Sequence, residues 1–133
     1  MTNKSKKILS EISAGELLDK ISILEIKLSK VKNEADLKEI NKEYKLLKEV
    51  ENLNINHTEE INKLFSEIKE VNIALWNIED KIRICEKNKL FEKDFVELSR
   101  GVYKNNDRRA SIKSEINKLL GSNIREIKQY SNY

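Results

Sequence analysis

The sequence contains no proline, three glycines and a single cysteine. A β-rich or loop-rich fold needs more proline and glycine at its turns, so their scarcity argues against one. The one cysteine, Cys85, permits neither an internal disulfide nor a cysteine-built metal site, and it points to a reduced cytoplasm. The one histidine, His57, falls in a polar turn segment with no cysteine nearby, which argues against zinc binding or a catalytic triad. No apolar run approaches the roughly 20 residues of a membrane span. The N-terminal stretch MTNKSKKILSEIS starts charged but has no apolar segment behind it, so no signal peptide is expected. An excess of one sign of charge is also missing: 26 basic and 23 acidic residues leave a net +3, with the signs interspersed. A dedicated nucleic-acid binder gathers its basic residues on one face, so that role is not expected. There is no phosphate-binding P-loop, no GxGxxG, no GxSxG and no HExxH. No metal and no cofactor are expected.

What is present is charge and periodicity. Charged residues make up 37% and apolar ones 38% of 133 residues, the composition of long solvated helices with one apolar stripe. A first helix is predicted from Ser13. Ser13 and Glu16 have capping-box spacing, and Ile12 and Leu17 stand at the positions of a hydrophobic staple. Its stripe runs through Leu17, Ile21, Leu24, Leu28 and Val31 to Lys32. After an interruption at Asn33 to Asp36, with Asp36 as N-cap, a second stripe passes through Leu37, Ile40, Tyr44, Leu47 and Glu51. Asn54 to His57 reads as a turn and Thr58 as the next cap.

The third helix is the clearest element. Ile61, Leu64, Ile68, Val71, Leu75, Ile78, Ile82 and Cys85 alternate spacings of three and four, the heptad pattern of a coiled-coil-like seam. From Thr58 to Lys87 it spans roughly 45 Å at 1.5 Å per residue. A fourth stripe runs through Phe91, Phe95, Leu98, Val102, Asn105, Arg109, Ile112, Ile116 and Leu119, which predicts one helix from Phe91 to Leu120. The alternative is a break at Asn105-Asn106 with Asp107 capping a new helix. Gly101 lies inside this helix at a cost of about 1 kcal/mol relative to alanine. Gly121 suits a helix stop, and Gly15 a helix start. The tail from Ser122 is expected to form a short helix or to pack through Ile124, Ile127 and the terminal tyrosines.

Two groups of residues stand out as candidate functional features. Lysine, asparagine and isoleucine are abundant, a usage that reads as codon bias in an AT-rich genome. Basic residues then default to lysine, and the five arginines become informative. Arg83, Arg100, Arg108 and Arg109, with Lys113, are candidates to gather an anion such as a phosphate or carboxylate. Trp76, Glu79, Asp80, Asn105 and Asp107 form a candidate polar-aromatic face. Asn105 and Arg109 occupy seam positions, where a polar residue needs a partner and often fixes register or oligomer state. The competing reading of all these residues is structural: Trp76 packing on a neighbouring helix, and the charges forming salt bridges along solvated flanks.

Three stretches carry a family resemblance. They are Ile12 to Ile21 (ISAGELLDKI) with Leu24 to Leu28, then Leu75 to Asp80 (LWNIED), then Val102 to Ala110 (VYKNNDRRA) through Lys113. Together they resemble a small bacterial family of helical proteins of unknown function, over nearly the whole length. The resemblance implies relatives found near genes for glycosyl transfer and surface-polysaccharide assembly. It brings no catalytic residues.

The fold expected is all-α: an antiparallel bundle or coiled-coil hairpin of four helices, two of them long, in a single domain over 1–133. Residues 1–11 are expected to be flexible, and 122–133 to form a tail. Short connections favour antiparallel neighbours. The unequal helix lengths leave part of the long seam uncovered, so a homodimer is expected. The leading functional expectation is an accessory or interaction protein with a protein partner, linked to surface-polysaccharide or nucleotide-sugar metabolism. The alternative is a small helical enzyme or binding protein for an anionic metabolite, using the arginine cluster.

Overall fold

The computed structural model describes residues 6–129 and 131. Within them the chain forms four helices and no strand: α1 (Ala14–Lys30), α2 (Glu34–Asn54), α3 (Glu59–Lys87) and α4 (Lys93–Leu120). The terminal tyrosines, Tyr130 and Tyr133, lie outside the described residues.

The helix ends follow from local chemistry. Ser13 Oγ accepts the Glu16 amide at 3.2 Å, and Thr58 Oγ1 accepts the Ile61 amide at 3.2 Å, so two N-caps stand where the sequence puts them. The capping box at α1 is only half made, because the Glu16 carboxylate turns away to Lys113 at 3.1 Å. The second cap differs from expectation. Asn33, not Asp36, caps α2: its Oδ1 accepts the Asp36 amide at 3.0 Å, and the interruption shrinks to three residues. Gly121 ends α4 in the left-handed region at φ 60°, where glycine avoids a Cβ clash. Beyond it, residues 122–129 are not helical, and Ile124 and Ile127 are exposed.

α3 and α4 pair as an antiparallel hairpin through the turn at 88–92. α4 is continuous through Gly101 and Asn105-Asp107. A Cβ at Gly101 would come to 3.0 Å from Ile78 Cδ1, the flexible end of a side chain across the hairpin. α1 lies against all three other helices, whereas α2 makes its close helix approach to α1 alone. Leu17, Leu18 and Ile21 of α1 join Ile61, Leu64, Ile68 and Val71 of α3 and Ile112 and Ile116 of α4 in one core. Fully burying each such side chain is worth about 1.5–3 kcal/mol. Tyr44 and Leu47 of α2 close it from outside. Glu25 links three helices by accepting from Tyr44 at 3.1 Å and from Lys69 at 2.8 Å.

The core occupies only one end of the hairpin. On α3 the last buried residue is Asn72, and on α4 the first is Ile112. The seam beyond, through Leu75, Ile78, Ile82, Cys85, Phe95, Leu98 and Val102, is only half-buried. The hairpin is therefore a packed base carrying a projecting two-helix arm.

Candidate functional site

At the root of the arm, the base and the seam meet around a buried carboxylate. Asp19 on α1 is fully buried. Arg109 of α4 donates from Nε to both carboxylate oxygens at 3.0 Å and from Nη2 to Oδ2. Asn72 of α3 donates through Nδ2 to Asp19 Oδ1 and to Ser22 Oγ, both at 2.8 Å. Ser22 in turn donates to the Asp19 carbonyl at 2.7 Å. The Asp19 hydrogen bond holds the Arg109 guanidinium pKa above its ordinary value, against the opposing effect of burial.

Lys113, one turn further along α4, is buried and its ammonium reaches three carboxylates. It donates to Glu16 at 3.1 Å and to Glu126 of the tail at 3.0 Å, and it lies 3.9 Å from Asp19. Burial alone would lower the Lys113 pKa, but the Glu126 and Glu16 hydrogen bonds outweigh it and the value is raised. The same contact holds the Glu126 carboxyl below its usual range. This packing is possible because the second residue of α1 is Gly15. A Cβ on Gly15 would lie 2.6 Å from the Lys113 carbonyl oxygen and 3.0 Å from Asn117 Oδ1. The Gly15 amide donates to that same Asn117 oxygen at 2.7 Å. Gly15 is thus a point of close approach between helices, which its reading as a helix-start residue did not include.

Beside Arg109 opens a cleft of about 390 Å³. Ile23, Ile26, Leu75 and Trp76 form its apolar wall, and Asn72, Glu79, Asp80, Arg83 and Arg109 its polar lining. Arg83 is exposed and donates to Glu79 at 2.7 Å. The structure therefore brings Trp76, Glu79, Asp80, Arg83 and Arg109 together. Lys113 belongs to the neighbouring carboxylate cluster. Arg100 is exposed and donates to Glu97 at 3.2 Å, and Arg108 is exposed; neither lines the cleft. Asn105 turns onto its own helix, donating to the Gly101 carbonyl at 2.8 Å rather than bridging helices. Asp107 is half-buried and does not line the cleft.

The sequence reading passed over Asp19, Ser22, Asn72 and Asn117. A signal was available in α1. Asp19, Ser22 and Ile26 recur at helical spacing beside the Leu17–Leu24 stripe, so two adjacent faces of this helix are buried. His57 serves structure: its Nε2 lies 3.3 Å from the buried Glu51, which also pairs with Lys48 at 2.6 Å. Among the described residues, no group of three histidine, cysteine, aspartate or glutamate side chains is placed to hold a metal ion. Nor, among the described residues, is any helix long and apolar enough to cross a membrane.

A family model described as a family of unknown function, DUF6165, matches residues 8–133. The chain belongs to that family. No curated protein and no solved structure matches it. The DUF6165 match spans the core, the Asp19–Arg109 pair, the cleft and the arm alike.

Proposed function

We propose that this DUF6165 chain is a helical interaction protein and that the α3–α4 arm is the surface it presents, first of all to a second copy of itself. The observation that carries this reading is the break in burial. The heptad seam runs on to Cys85, while the buried core stops at Asn72. A seam of this kind is ordinarily covered by further helices. Along the arm lies a groove of about 520 Å³ lined by Ile78, Ile84, Cys85 and Leu98, with Lys81 on the α3 edge and Asp94 and Glu97 on the α4 edge. Ile84 and Val96 are both substantially exposed. In a two-fold pairing the same patch meets itself, and with the axis running along the groove the lysine edge of one copy faces the acidic edge of the other. That charge complementarity favours a homodimer. The class of further protein partner suggested by the family resemblance is one in surface-polysaccharide or nucleotide-sugar metabolism.

Sedimentation equilibrium across a concentration series tests the reading. The expected result is a dimer that Ile84→Glu dissociates and Lys81→Glu weakens, with association restored when Lys81→Glu is combined with Glu97→Lys. A monomer at about 0.2 mM, or a dimer indifferent to all three substitutions, refutes it.

A further inference from the structure

The cleft at the root of the arm has an unfinished hydrogen-bonding floor. Arg109 spends Nε and Nη2 on Asp19, and Nη1 has no partner among the described residues. Asn72 is 6% exposed and spends both its printed bonds through Nδ2, on Asp19 and Ser22. Its Oδ1 has no partner among the described residues. That oxygen is not sealed from solvent, so it stands open to the cleft as a free acceptor. Both side chains line the cleft, and the shared Asp19 carboxylate fixes them next to each other. The floor therefore offers a charged donor beside a neutral acceptor, on groups that cannot easily turn away.

The rim sets the charge of what fits. Arg83 is neutralised by Glu79 within the same cleft, and Arg109 by Asp19. Asp80 lines the cleft with no ion pair among the described residues. The cleft thus carries one carboxylate in excess, which disfavours a plain anion. The remaining wall is apolar, from Trp76, Leu75, Ile23 and Ile26. Its volume lies at the small end of ligand pockets, enough for a metabolite of modest size.

We propose that this cleft binds a small zwitterion of the α-amino-acid class with an apolar side chain. The carboxylate meets Arg109 Nη1, the ammonium meets Asn72 Oδ1 and Asp80, and the side chain lies against Trp76 and Leu75. This does not depend on self-association, because the arm groove lined by Ile84 and Leu98 is a separate surface.

Trp76 is the only tryptophan, so its emission reports directly on the cleft. The experiment titrates the full chain with L-leucine and L-phenylalanine to about 10 mM, following fluorescence and calorimetric heat. Two truncated probes accompany them: 4-methylpentanoate, which lacks the amine, and 3-methylbutylamine, which lacks the carboxylate. The expected result is a saturable response to at least one amino acid and binding weaker by at least about tenfold for each truncated probe, since each lost contact is charge-assisted. Asp80→Asn, an exposed change outside the core, weakens the amino acid by about fivefold or more and leaves 4-methylpentanoate no weaker, since a like charge is removed from beside it. No saturable response to either amino acid overturns the proposal. So does 4-methylpentanoate or inorganic phosphate binding as tightly as the amino acid, which would assign the cleft to anions.

Discussion

Replacing Asp19 by alanine tests the structural centre of this protein. The carboxylate is fully buried, and it takes hydrogen bonds from Asn72 and Arg109 while lying 3.9 Å from the Lys113 ammonium. Removing one member of a buried ion pair costs about 3–5 kcal/mol, because the partner is left charged and unpaired. Here the Arg109 side chain keeps 26% of its exposure and borders the cleft, so water reaches it once Asp19 is gone. That places the loss at the lower end, about 3 kcal/mol. Lys113 keeps Glu16 and Glu126 and adds little. In a chain of 133 residues a loss of that size lowers the thermal midpoint by roughly 10 °C. Urea unfolding followed by circular dichroism measures it directly. A second arm separates pairing from burial: Asp19→Leu combined with Arg109→Met replaces both charges by apolar groups and recovers most of the loss. A loss below about 1 kcal/mol for Asp19→Ala refutes the reasoning, since it would mean that the pair is solvated rather than buried.

Two further outcomes follow from the same geometry. Gly15→Ala forces a Cβ onto the Lys113 backbone and is expected to cost about 1–3 kcal/mol despite alanine's helix propensity, whereas Gly101→Ala meets only the flexible end of Ile78 and is expected to be neutral or stabilising by about 0.5 kcal/mol; urea midpoints of the two variants that agree would contradict this contrast. Because Lys113 lowers the folded Glu126 pKa, the Glu126 contribution is present above the unfolded value near 4.5 and disappears as pH falls through the folded value. Wild type is therefore expected to exceed Glu126→Gln in urea midpoint at neutral pH, with the gap closing as the pH falls below 4.5 and through the folded value, and an unchanged gap at acid pH would show that the carboxylate charge is not involved.

The helices were legible in the sequence because their determinants are local. Caps at Ser13 and Thr58, the three-and-four spacing from Ile61 to Cys85, and Gly121 at a positive φ depend on residues within a turn or two. Asn33 displaced Asp36 as a cap because both are good caps three residues apart, and only the chain's exit from α1 chooses between them. The unequal helix lengths also imply that the long seam outruns its cover. The site was legible in part. Trp76, Glu79, Asp80 and Arg83 share one helix, and their convergence follows from helical periodicity alone. The meeting of Arg109 with Asp19, 90 positions apart, does not. Nor does the approach of Gly15 to Lys113, which turns a glycine at a helix start into a contact between helices. Sequence periodicity says which face of a helix is buried but not which helix covers it. That Arg109 is paired to α1 while bordering the cleft, and where the core ends, are decided by how α1 lies across the hairpin, and that arrangement exists only in the packed chain.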